Sequence, residues 1–156
     1  HFIAMLAYDP GVVVGYDMKL TLVSLGVAIV VTAIGLAVAT YIAGRSAVVA
    51  GGLLLGAGIT SMHYIGMSAV ELPGSLHWDA AYVAASLVFA GLFGVLALLV
   101  SIRPAPGARE RGLATVLMAL GVVSLHFTAM TAVTVPWSMP VGTALIPAVL
   151  RRSMTD

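Results

Sequence analysis

The sequence predicts an all-α membrane protein, a multi-span helical bundle built from a repeated two-helix unit. Three observations predict it. Hydrophobic residues make up 61% of the chain and charged residues 8%, against about 25% charged residues in soluble domains. The apolar residues fall in uninterrupted stretches, and the mean hydropathy is +1.11. A short histidine-centred pattern recurs along the chain at near-constant spacing, the mark of a repeated supersecondary unit.

The spans follow in order. Residues 20–44 lie between Lys19 and Arg45, residues 46–70 between Arg45 and Glu71, and residues 80–102 between Asp79 and Arg103. None holds a formal charge, and a spanning helix needs roughly 20 apolar residues. The stretch 112–150 is too long for one helix. Pro136-Trp137-Ser138-Met139-Pro140 divides it into a full span, 112–135, and a short piece, 141–150, which covers only about 15 Å as a helix. Residues 1–6 read as the end of something longer, so the repeat implies a helix ahead of His1. On this reading residues 1–150 form one membrane domain, truncated at its start, and 151–156 a cytoplasmic tail or the start of a linker.

Composition also excludes. There is no cysteine, so any metal site must use histidine, methionine, carboxylate or backbone. A net charge of +1 does not suggest nucleic acid. The longest charged loop, 103–111, cannot hold a catalytic domain, and no enzyme activity is expected. Asp9-Pro10-Gly11 interrupts the first apolar run, which also lacks a basic start, so it is not a signal peptide. If the spans alternate, Arg45, Arg103, Arg109, Arg111, Arg151 and Arg152 share one side, with Lys19 the exception. Positive charge marks that side as cytoplasmic. The outer face then carries 7–19, 71–79 and 136–140, with Tyr8, Tyr16, Trp78 and Trp137 as interface aromatics.

The recurring pattern is His, aromatic, any residue, small residue, Met. It appears as His1-Phe2-Ile3-Ala4-Met5, as Met62-His63-Tyr64-Ile65-Gly66-Met67, and as Leu125-His126-Phe127-Thr128-Ala129-Met130. The similarity extends outward: Asp17 matches Asp79, each after an aromatic, Asp9 matches Glu71, and Ser24 matches Ser86. Each unit reads as a motif helix, an outer acidic loop and a return helix. In the third unit Thr134 replaces the acid. The three histidines fall at similar depth in the outer leaflet, where three like helices could bring their imidazoles together. Gly52-Leu53-Leu54-Leu55-Gly56 is a GxxxG pattern suited to close helix packing.

His63 and Met67, four residues apart, share one helix face, as do His1 with Met5 and His126 with Met130. Met62 is rotated about 100° from His63, toward a neighbouring helix, and is an additional candidate. Imidazole with thioether is a ligand set that suits copper, Cu(I) especially. Neutral ligands around a monovalent ion also keep the buried charge small. A single His–Met pair would more simply be packing; three pairs at matched depth favour a metal site made of His1, Met5, Met62, His63, Met67, His126 and Met130. Phe2, Tyr64 and Phe127 read as packing residues. His77 reads as a solvated loop residue, and Asp9 and Glu71 as loop or helix-end charges.

The run Met62-His63-Tyr64 followed by Gly66-Met67, with its two relatives, resembles the MHYT domain of bacterial integral membrane sensors. The resemblance covers essentially the whole chain. The third copy departs from it at Leu125 and at Thr128-Ala129. The family implies a bundle in a bacterial inner membrane, with motif residues near the outer face. It implies copper as cofactor and oxygen, carbon monoxide or nitric oxide as the sensed ligand. It also implies a cytoplasmic partner domain in a longer chain: a cyclic-di-GMP enzyme, a kinase or a DNA-binding domain. The expected function is a membrane sensory module. The alternatives are copper transport or delivery, and haem-based electron transfer with His63 and His126 as axial ligands.

Overall fold

The computed structural model describes residues 15–71, 77–103 and 105–134. His1, Met5 and the segment 141–150 lie outside the described residues. Four helices cross the described part: α1 Met18–Tyr41, α2 Arg45–Ser68, α3 Ala80–Ser101 and α4 Ala108–Thr131. All four are long and apolar enough to span a membrane. In lipid every backbone N–H and C=O must find an internal partner, which forces the helix even through β-branched runs such as Val30-Val31-Thr32. The hydroxyls follow the same logic. Thr32 donates to the Ala28 carbonyl at 2.6 Å and Thr40 to Leu36 at 2.7 Å, each one turn back.

The helices run past the charge-free stretches at their starts. Lys19 lies inside α1, Arg45 opens α2, and Arg109 and Arg111 belong to α4. At α1 the cause is an aspartate cap, and α3 has the same device; α2 and α4 start at Gly44 and Gly107 with no side-chain cap bond. Asp17 accepts from the backbone N–H of Lys19 at 2.7 Å and of Leu20 at 3.2 Å, and Asp79 does the same for Ala81 and Tyr82. Gly44, with φ of 113°, turns the chain from α1 into α2 through a conformation that a side chain would oppose.

Four two-residue strands close the opposite end, where the sequence reading has only a loop. They are β1 Gly15–Tyr16, β2 Val70–Glu71, β3 His77–Trp78 and β4 Val133–Thr134. β1 pairs antiparallel with β2, Gly15 opposite Glu71, and β3 with β4, His77 opposite Thr134. Beside each ladder a backbone bond ties a cap residue to the end of a motif helix: the Asp17 N–H donates to the Ala69 carbonyl at 2.8 Å and the Asp79 N–H to Ala132 at 2.9 Å. Ala69 and Ala132 are fully enclosed. The folded unit is therefore β1–α1–α2–β2, repeated as β3–α3–α4–β4. It joins a return helix to the motif helix that follows it, half a unit out of phase with the motif-first reading.

The units are held together through α2, whose glycines point two ways. Gly51 faces Gly35 of α1, where an added methyl would lie 2.5 Å from the Gly35 carbonyl oxygen. Gly52 and Gly56 face Gly94 and Ala90 of α3 at equally short range. The GxxxG pattern thus builds the α2–α3 crossing. α4 packs on α3, with Gly121 against Phe93. Much of the remaining surface is apolar and exposed, as at Leu22, Ile29, Val88 and Val116, which fits a lipid-facing wall.

Candidate functional site

His63 and His126 each stand five residues before the end of their helix, about 7.5 Å along the axis. Matched depth in matched units brings them together. Their ring centroids are 5.4 Å apart and the rings stand edge to face at 89°. His63 is 1% exposed; His126 is half-buried. A cavity of about 210 Å³ opens beside them between α2 and α4. Met62, Val122, Val123 and Phe127 line it together with both histidines. A larger apolar groove of about 730 Å³ continues between the helices toward the arginine-bearing end and shares Val122 and Val123 with it.

The other candidates are placed as follows. Met62 lines the same cavity as the two imidazoles, from α2. Met67 is buried at 3% exposure and Met130 is half-buried, one turn nearer the ladders, and neither lines the cavity. His77 is exposed, in β3 rather than in a loop. Among the described residues no three histidines, cysteines or carboxylates gather into one cluster. The nearby donors are thus two neutral imidazoles and one thioether, a set that fits a soft monovalent ion of low coordination number better than zinc or magnesium.

Sequence reasoning misses one polar pair, Tyr64 with Ser86, and one further polar residue. The Tyr64 hydroxyl lies 2.7 Å from the Ser86 Oγ. The Ser86 hydroxyl itself donates to the Val83 carbonyl at 2.8 Å, so Tyr64 is the donor between them. Ser86 is fully buried, which makes this bond a polar anchor between α2 and α3 at the depth of the histidines. The Ser24–Ser86 correspondence is the signal that could have drawn attention to it. The other residue is Thr60, one turn before His63, whose hydroxyl is buried with no hydrogen-bond partner among the described residues.

A multi-pass helical membrane protein made of repeated hairpins, with paired histidines at one depth, is what fold and site define. The family model described as "Bacterial signalling protein N terminal repeat", MHYT, matches residues 1–52 and 56–114. The chain belongs to this family. It is 42% identical over 135 residues to an uncharacterized signaling protein of Caulobacter vibrioides, covering 86% of this chain and 17% of that protein. It is 32% identical over 149 residues to the bifunctional diguanylate cyclase/cyclic di-GMP phosphodiesterase MucR of Pseudomonas aeruginosa, covering 92% of this chain and 22% of MucR. It is 31% identical over 158 residues to the cyclic di-GMP phosphodiesterase NbdA of the same organism, covering 93% and 19%. The chain thus spans about a fifth of the length of these curated relatives. No solved structure matches it.

Proposed function

We propose that this domain is the membrane sensor of a bacterial signalling protein, and that a copper ion held by His63 and His126 is its receptor for a small ligand such as carbon monoxide, nitric oxide or oxygen. The observation that carries the reading is the 5.4 Å approach of the two imidazoles beside a cavity. That cavity, at about 210 Å³, has ample room for a diatomic molecule, since a water occupies about 30 Å³ in the liquid. Met62 supplies the thioether on the cavity wall, with Met67 and Met130 four residues along the helix from His63 and His126. When bound, copper would supply an open coordination position. His63 and His126 would hold it from two different helices, and the apolar wall would keep water out.

The placement of those helices supports a signalling role. α2 and α4 touch at the histidines, while the larger groove separates them toward the arginine end. A change in the His63–His126 spacing would alter the splay of α4 against α2, a small motion of a kind that membrane receptors can pass on. The ladder end would face outward and the Arg45, Arg103, Arg109 and Arg111 end the cytoplasm. The similarity to MucR and NbdA suggests a cyclic-di-GMP enzyme as the output, in the bacterial inner membrane. Elemental analysis of the purified domain with an absorption spectrum tests the reading. Copper without a Soret band, lost in His63→Ala and His126→Ala and retained in His77→Ala, is expected. Equal metal content in all three variants, or a Soret band, would overturn it.

A further inference from the structure

The histidine pair is not isolated from the surface. Trp78 of β3 contacts Tyr64, with ring centroids 5.2 Å apart and an interplanar angle of 60°. Tyr64 contacts His63 at 5.2 Å, and His63 contacts His126 at 5.4 Å. Among the described residues this is a continuous path of rings from the ladder end into the site. We propose that Trp78 and Tyr64 form an electron relay joining the outer surface of the domain to the metal held at His63 and His126. The relay rests on the metal reading above and adds to it a redox partner at the outer face, a soluble one-electron acceptor strong enough to oxidise an indole.

The chemistry of each station fits its place. Tunnelling falls exponentially with distance, so touching rings dominate any route through a protein. Trp78 is half-buried and adjoins the exposed His77, within reach of a carrier docking on the ladders. An indole can lose one electron and keep its N–H, so it needs no proton acceptor. Tyr64 differs. Its hydroxyl proton is held in the bond to Ser86, whose own proton is committed to Val83. With no base there to take that proton, Tyr64 serves as a bridging ring and not as a radical site. In the other described copy of the motif Phe127 contacts His126 at 5.3 Å, but it is 65% exposed on the membrane-spanning wall and has a ring that resists oxidation. The overall step is balanced: the metal loses one electron, the carrier gains one, Trp78 returns to its starting state, and no bond or proton changes place.

The test uses the full chain in lipid nanodiscs, in a Trp137→Phe background that leaves Trp78 as the single indole. In metal-free protein, flash-generated tris-bipyridine ruthenium(III) added to the medium should yield a tryptophan radical in the electron paramagnetic resonance spectrum, absent in Trp78→Phe. In copper-loaded, reduced protein, oxidation of the copper by the same flash-generated ruthenium(III) should slow by roughly tenfold or more in Trp78→Phe and in Tyr64→Leu. It should stay near the parent rate in Tyr64→Phe, which keeps the bridging ring. Copper content and Cu(I) affinity, measured alongside, should be unchanged in both phenylalanine variants. Failure to form the radical, or an unchanged oxidation rate in Trp78→Phe with normal copper content, overturns the relay and leaves the metal reading standing. Absence of copper uptake overturns both and is recognised from the metal content alone.

Discussion

Gly52 and Gly94 meet backbone to backbone where α2 crosses α3. A methyl added to Gly94 would lie 2.5 Å from the Gly52 carbonyl oxygen, and one added to Gly52 would lie 2.5 Å from the Val95 Cα. Without a hydrophobic drive between helices in lipid, such small-residue contact is a main source of association. It also sets the α2–α3 spacing that lets Tyr64 reach Ser86.

Gly52→Val should therefore destabilise the domain by about 1–3 kcal/mol or more, the usual cost of overpacking. Gly26→Val, at a position where an added side chain meets nothing within 4 Å, should be far milder. Thermal unfolding in nanodiscs would show the contrast. Equal losses for the two substitutions would mean that the α2–α3 contact is not a determinant of stability.

Asp79 caps α3 through the N–H groups of Ala81 and Tyr82. Asp79→Ala should cost about 1 kcal/mol, whereas Asp79→Asn, an equally good cap, should cost only a few tenths. The same comparison at Asp17 should give the same pattern, because the two caps are repeats of one device. If both Asn variants matched their Ala counterparts, charge rather than capping would be the contribution.

The arginines make orientation testable. With Arg45, Arg103, Arg109 and Arg111 at one end of the helices and the ladders at the other, the ladder end should be external. Of two single-cysteine variants in this cysteine-free chain, His77→Cys should react with an impermeant maleimide in intact cells and Arg109→Cys should react only after lysis. The reverse pattern would put the histidine site near the cytoplasm.

How much of this was legible in the sequence depends on what each signal encodes. The spans were legible because lipid imposes length and apolarity on every residue of a helix. The matched depth of His63 and His126 was legible because a helix converts residue number into distance. Gly52 and Gly56 announced a close contact, but not with which helix. The phase of the repeat was hidden: a period fixes the length of a unit, not whether α2 folds with the helix before it or after it. The ladders were hidden too, since Gly15-Tyr16 and Val133-Thr134 are too short to show alternation. The sequence turns Met62 away from His63, yet both line one cavity because of where α4 lies, and tertiary packing alone decides that.

That last point separates two ligand sets. Spacing along the helix pairs His63 with Met67 and His126 with Met130; the cavity pairs both histidines with Met62. A thioether is a soft donor, so whichever methionine binds should matter more for Cu(I) than for Cu(II). Leucine preserves the apolar volume approximately, which leaves sulfur as the main difference. Met62→Leu should weaken Cu(I) binding by about tenfold, or 1.4 kcal/mol, in competition with a Cu(I) chelator, and should leave Cu(II) binding nearly unchanged. Met67→Leu and Met130→Leu should each have a smaller effect, because their side chains do not line the cavity. The reduced, copper-loaded protein should also show an infrared band for bound carbon monoxide that disappears on oxidation. A larger loss in Met67→Leu than in Met62→Leu would return the site to the i, i+4 pairs, and would require the α2 and α4 faces to rotate toward the ladders when metal binds. Unchanged Cu(I) affinity in all three variants would leave the two imidazoles as the only described side-chain ligands.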